Sequence, residues 1–209
     1  MFEKFLTFDK AFFQWIYDNF SPGDGGVADG FFKFITRLGD KGLFWIVLAV
    51  VLMVPKQTRK PAIIMAIALV FDVILVNGIL KHVFARERPF DFDWGTFNYF
   101  YPDLVKRPED FSFPSGHTAA SFAGAVAFIL GLRSKWIDDT KKPNLLTLRI
   151  LGVVGIILAF LIGFSRIYIG VHYASDVIGG VVIGIICAVL AFFTFSFIEP
   201  VVFKKIQKK

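Results

Sequence analysis

The chain has 209 residues, 56% of them hydrophobic and 17% aromatic, with a mean hydropathy of +0.63. That apolar share exceeds the roughly one half found in soluble domains, so it excludes a water-soluble globular fold and points to one integral-membrane domain. The formal net charge of +6 suits lipid headgroups rather than nucleic acid, because the basic residues gather at the ends of apolar segments.

Phe2, Phe5, Leu6, Phe12, Phe13, Ile16 and Phe20 recur at near-helical spacing, with Glu3, Lys4, Thr7, Lys10, Gln14 and Asp18 mostly elsewhere. This pattern predicts an amphipathic helix lying in the membrane interface. Its charges, with Asp9 among them, interrupt the apolar core that a cleavable signal peptide needs. Residues 21–26 read as a loop. Phe31, Phe32, Phe34, Ile35 and Leu38 then begin a second, interrupted segment, which leaves room for a sixth membrane element.

Five apolar spans follow, at about 42–54, 61–80, 117–132, 148–164 and 177–198. The fold class is therefore all-α, a polytopic transmembrane helix bundle of about five spans with an N-terminal interfacial helix. The first span is short for a hydrocarbon core about 30 Å thick, so its helix starts earlier or the bilayer thins there. Asp72 and Asn77 fall within the second span, where polar groups turn toward neighbouring helices; structural pairing and orientation of a site are both open to them. Ala119, Ala120, Gly124, Gly152, Gly155, Gly179, Gly180 and Gly184 predict close helix approach. Cys187 is the only cysteine, so no intrachain disulfide forms, and its place in the last span predicts packing.

Three polar clusters punctuate the apolar chain. Lys81 and Arg88 stand seven residues apart, which puts them on one face of a helix continuing past the second span. Arg offers a planar fork to phosphate oxygens and Lys a mobile point charge, although both side chains also snorkel at helix ends. Pro114-Ser115-Gly116-His117 opens the third span, where unpaired backbone N–H groups can bind an anion, Ser115 adds a hydroxyl and His117 lies nearest the anion. In the third cluster Arg166 closes the fourth span, and His172 precedes Asp176 by four residues. On a helix that spacing lets the carboxylate take the imidazole N–H and raise the ring's nucleophilicity. A divalent metal is disfavoured, since no cysteine is near and three cations converge. His82 belongs to no such pattern and is assigned to interfacial packing. The aromatic residues of the connector, Phe90 through Phe113, read as a headgroup belt or as a lid in which Lys106 and Arg107 meet additional phosphate.

Lys81-x6-Arg88-Pro89, Pro114-Ser115-Gly116-His117 and Ser165-Arg166-x5-His172-x3-Asp176 together resemble the three-part signature of the type 2 phosphatidic acid phosphatase superfamily. The resemblance implies that His172 is a nucleophile forming a phosphohistidine, Asp176 its orienting carboxylate and His117 the general acid. It also implies a phosphate cradle of Lys81, Arg88, Ser115, Gly116 and Arg166, with no metal and no cofactor. On this reading residues 1–38 form an interfacial segment, 39–200 the catalytic bundle and 201–209 a basic tail. The implied partners are the bilayer and a lipid phosphate or diphosphate: undecaprenyl diphosphate, phosphatidylglycerophosphate, phosphatidate or the 1-phosphate of lipid A. A lipid phosphotransferase using the same histidine and a non-catalytic lipid-binding or transport protein are the alternatives.

An even number of membrane crossings separates the connector between spans two and three from that between spans four and five, so all three clusters share one membrane side. With Lys81, Arg88 and Arg166 set aside for function, twelve basic residues lie on the opposite side against eight on the cluster side. The positive-inside rule then puts the site on the extracytoplasmic face, in a bacterial inner membrane for a chain this short.

Overall fold

A computed structural model of the chain describes residues 2–132 and 145–206. The described residues form helices and no strands: α1 (Glu3–Phe20), α2 (Val27–Leu38), α3 (Leu43–Met53), α4 (Arg59–Asp72), α5 (Lys81–Phe84), α6 (Gly116–Gly131), α7 (Leu145–Tyr168) and α8 (Ala174–Ile206). Between α4 and α5 the helix runs unbroken but widens into π register over Val73–Leu80. Three of these elements, Arg59–Phe84, Leu145–Tyr168 and Ala174–Pro200, are long and apolar enough to cross a membrane. The remaining two expected spans coincide with α3 and α6, which are shorter. The basic residues of 133–144 and 207–209, which bear on orientation, lie outside the described residues.

Helix α6 is the centre of the bundle. Eleven of its residues are buried, among them Ala119, Ala120, Ala123, Gly124 and Ala127, and it packs against α4, α7 and α8. Its small side chains let the helices come within backbone contact, as the sequence predicts. A Cβ at Gly180 would lie 2.7 Å from the Ser115 carbonyl oxygen, and one at Gly184 would lie 2.5 Å from that of Ala119. Larger side chains there would push α8 off the start of α6, where the second cluster sits. Most of α6 is enclosed by protein, with Ile129 left exposed, and Trp45 of α3 donates its indole N–H to Ser121 Oγ (2.9 Å) within this core.

A second core lies at the cluster end. Phe13 and Ile16 of α1 are buried against Ile167, Tyr168, Val171 and Tyr173, while Phe5, Phe8 and Trp15 stay exposed. The amphipathic face of α1 is therefore shared between protein and surroundings. The connector aromatics turn inward to the same core: Trp94 is buried, stacks on Tyr99 with ring centres 5.1 Å apart, and meets Phe13 edge-on. Their amphipathic rings bury area and find polar partners, Tyr99 donating to the Gly170 carbonyl and Trp94 to that of Pro89.

Candidate active site

The three clusters converge at one end of the bundle. Helix α5 stops at Ala85, which is left-handed (φ 42°), so Lys81 and Arg88 do not share a helix face as their spacing predicts. Asp110 of the connector joins them instead. Its carboxylate pairs with Lys81 and, through Oδ1, with Arg88 Nη2 at 2.6 Å, while Arg88 Nε donates to the Asp110 carbonyl at 2.7 Å. Burial alone would raise the Asp110 pKa; the charges of Lys81 and Arg88 outweigh it and hold the group at about 2. Arg88 Nη1 donates to the Val171 carbonyl (2.7 Å) and lies 3.3 Å from His172 Nε2, which ties the first cluster to the third.

Arg166 reaches the same place from the end of α7. Its Nη1 donates to Thr36 Oγ1 of α2 (2.7 Å), but its buried Nε–H has no hydrogen-bond partner. A buried cation with a free donor is an open place for an anion's oxygen.

His172 occupies the loop between α7 and α8, two residues before α8 begins, so its contact with Asp176 is made at a helix N-terminus rather than along a helix face. Asp176 Oδ2 reaches back to the Tyr173 N–H (3.0 Å), as an acidic residue in the first turn of a helix does. The same oxygen accepts from Ser112 Oγ and lies 3.4 Å from His172 Nδ1. Burial first, then Arg88, Arg166 and Lys81, push the His172 pKa well below 6.5. The ring is thus a neutral imidazole with Nδ1 toward a carboxylate and Nε2 toward the cations.

At the start of α6, Ser115 is buried, accepts from Thr118 Oγ1 (2.9 Å), and ties its amide to the Asp176 carbonyl (3.1 Å). His117 Nε2 lies 2.9 Å from Asp40 Oδ1 of the turn between α2 and α3, and this contact lowers the Asp40 pKa. The turn can approach because residue 39 is glycine: a Cβ there would lie 2.8 Å from the His117 ring.

His117 stands where two cavities meet. One, of about 920 Å³, is a polar basin that includes Lys33, Arg37, Lys106, Arg107 and Arg166. The other, of about 350 Å³, is a groove with apolar walls from Ile46, Leu69, Val73 and Ala120. Lys41, Asp110 and His117 belong to both. Lys106 and Arg107 therefore do line the approach to the site. Asp72 and Asn77 line the groove below Lys81, and Asp72 Oδ1 has no hydrogen-bond partner. At 100° per residue Asp72 and Lys81 would face about 180° apart on an uninterrupted α-helix; the π segment turns both to the groove.

The structure adds residues that the three clusters did not contain: Asp9, Thr36, Asp40, Arg86, Asp110 and Ser112. Arg86 bridges Asp9 and Asp176 and is buried with both. Asp9 carried a readable signal, since it stands at helical spacing from Phe13 and Ile16 on the apolar face of α1, where an acid demands a buried partner. Among the described residues no group of three His, Cys, Asp or Glu is placed to hold a metal.

The family model of the PAP2 superfamily matches residues 61–198. The chain belongs to that superfamily. It is 33% identical over 158 residues to the undecaprenyl-diphosphatase of Sulfolobus acidocaldarius, covering 76% of this chain and 66% of that one. It is 30% identical over 170 residues to undecaprenyl-diphosphatase BcrC of Bacillus subtilis, covering 81% and 76%. The fold also matches the crystal structure of a transmembrane PAP2-type phosphatidylglycerolphosphate phosphatase from Bacillus subtilis, with a TM-score of 0.68 at 23% identity over 94% of this chain and 88% of that one. The PAP2 match includes all three clusters and leaves α1 to α3 outside it.

Proposed function

We propose that this PAP2 phosphatase hydrolyses the phosphomonoester or diphosphate of a membrane lipid through a covalent phosphohistidine on His172. The observation that carries the reading is the position of His117 between a cationic basin and an apolar groove. A lipid phosphate has the same division: its charged group suits the junction at His117, where the basin side carries Arg166 and the groove side Lys81, and its first apolar atoms suit the groove.

In the proposed reaction Lys81, Arg88 and the free Nε–H of Arg166 neutralise the phosphoryl oxygens, joined by the amides at the start of α6 and the Ser115 hydroxyl. His172 Nε2 donates its lone pair to phosphorus while Asp176 holds Nδ1–H. The bond from phosphorus to the lipid oxygen breaks, and that oxygen takes its proton from His117. His117, now neutral, accepts a proton from a water that attacks the phosphohistidine, which releases phosphate and restores His172. The cations do the electrostatic work that a metal does elsewhere.

Undecaprenyl diphosphate is the substrate named for two relatives and phosphatidylglycerolphosphate for the structural neighbour. Phosphatidate and the 1-phosphate of lipid A complete the candidates. The basic-residue count favours a site on the extracytoplasmic face of a bacterial inner membrane.

The deciding experiment is phosphate release by detergent-purified protein in EDTA, with each of these lipids, beside His172→Ala. Release that depends on His172 and persists in EDTA is expected. Release surviving in His172→Ala, or none from any of the lipids, would overturn the reading.

A further inference from the structure

The charge beside His172 is organised from the opposite end of the sequence. Asp176 divides its two oxygens: Oδ2 faces Ser112, the Tyr173 N–H and His172, while Oδ1 accepts from Arg86 Nη1 at 2.5 Å. Arg86 Nη2 donates to Asp9 Oδ2 of α1 at 2.8 Å, and Nη1 also donates to Ser175 Oγ at 2.8 Å. Asp9 accepts in addition from the Ser175 N–H (2.9 Å) and Ser175 Oγ (2.7 Å). The guanidinium carbon lies 3.7 Å from the centre of the Tyr173 ring and 4.4 Å from that of Phe2. Asp9 and Asp176 are both 0% exposed, so water does little to screen this cluster.

Counting charge shows what the second carboxylate adds. Arg86 paired with Asp176 alone would form a neutral pair with little left to stabilise a cation nearby. Asp9 shares the same guanidinium, so two carboxylates stand against one cation, a formal charge of −1, and His172 is the imidazole in contact with them. That ring otherwise faces Lys81, Arg88 and Arg166, all of which oppose a positive charge on it. When Nε2 gives its lone pair to phosphorus, and the lipid oxygen departs with its electron pair and the His117 proton, the imidazole becomes cationic. A carboxylate of undiminished charge at Nδ1 is what this step needs.

We propose that Asp9, acting through Arg86, is a positioning residue for the His172–Asp176 pair, so that α1 forms part of the active site. The inference rests on the phosphohistidine reading. Arg86 touches Asp176 and Asp9 rather than any of the cations assigned to phosphate, so the effect is expected on the chemical step and not on substrate capture.

The test uses the full chain in detergent with undecaprenyl diphosphate and phosphatidate as probes, measuring kcat, KM, melting temperature and base-quenched phosphoenzyme. Asp9→Asn, which is isosteric, should lower kcat about tenfold with KM within about twofold. Arg86→Lys keeps the charge but loses the fork and should lower kcat by roughly thirtyfold or more. The double variant should be no worse than Arg86→Lys alone, because Asp9 acts through Arg86. Asp9→Asn with wild-type kcat per folded molecule, a loss confined to KM, or full additivity in the double variant would overturn the proposal. His172→Ala separates the two failures: turnover surviving there sinks the phosphohistidine reading, whereas its loss beside an unaffected Asp9→Asn sinks only the role of Asp9.

Discussion

Asp110 Oδ1 accepts a hydrogen bond from Arg88 Nη2 at 2.6 Å, so a carboxylate oxygen holds one of the donors on which the proposed chemistry relies to grip phosphate. The other oxygen is on Lys81. With its pKa held at about 2, Asp110 is ionised at neutral pH. Its side chain is 53% exposed in the connector, in contrast to the buried Arg88, so it is the partner free to move aside.

A phosphate that binds here displaces or shares that carboxylate. Asp110→Asn removes a negative charge from the cradle and should tighten binding of inorganic phosphate about three- to tenfold, read as a lower Ki in product inhibition. A higher Ki would mean that Asp110 holds Lys81 and Arg88 in shape for phosphate rather than competing with it.

The proposed chemistry also fixes a sign for pH. His172 attacks as the neutral ring, and burial together with Arg88, Arg166 and Lys81 keeps its pKa well below 6.5. Lowering the pKa of a nucleophile extends its active form toward acid. The acid limb of kcat/KM reports the free enzyme, and the His172 ring should therefore set no limb at its ordinary value of 6.5 once the substrate's own phosphate ionisation, at about pH 6, is corrected for. Phosphate release titrated from about pH 4 to 8 measures it. A limb at or above 6.5 would exclude this ring as the group that titrates.

Much of this arrangement was written in local sequence, because spans and helix ends depend on short-range pattern. Lys81, Arg88, Gly116, His117, Arg166 and His172 each stand at or near the end of an apolar run, and the fold brings those ends together. The rest depends on contacts distant in sequence. Asp110 lies in a connector without periodicity, and only folding sets it against Lys81, 29 residues away. Arg86 looks like one more base beside Arg88 until its partners, 77 and 90 residues away, are known. The connector aromatics have the composition of a headgroup belt, and nothing local says that Trp94 is buried against Phe13. The π segment is equally hidden, because a change of register over Val73–Leu80 leaves the apolar composition of the span unchanged.

The contact of His117 with Asp40 gives the last test, through the leaving group. If His117 protonates the departing lipid oxygen, its value depends on how poorly that oxygen leaves. An alkoxide needs the proton during bond breaking, whereas p-nitrophenolate, with a pKa near about 7, leaves without it. His117→Ala should therefore lower the rate of phosphohistidine formation on a lipid phosphate by about a hundredfold or more, and on p-nitrophenyl phosphate by about tenfold or less. Asp40→Ala should follow the same order with smaller losses, since Asp40 Oδ1, 2.9 Å from His117 Nε2, favours the protonated ring without itself supplying the proton. Single-turnover rates on both substrates, with phosphoenzyme formation separated from its hydrolysis, make the comparison. Equal losses on the two substrates would assign His117 to binding or to the hydrolytic step and leave the departing oxygen to take its proton from water in the basin.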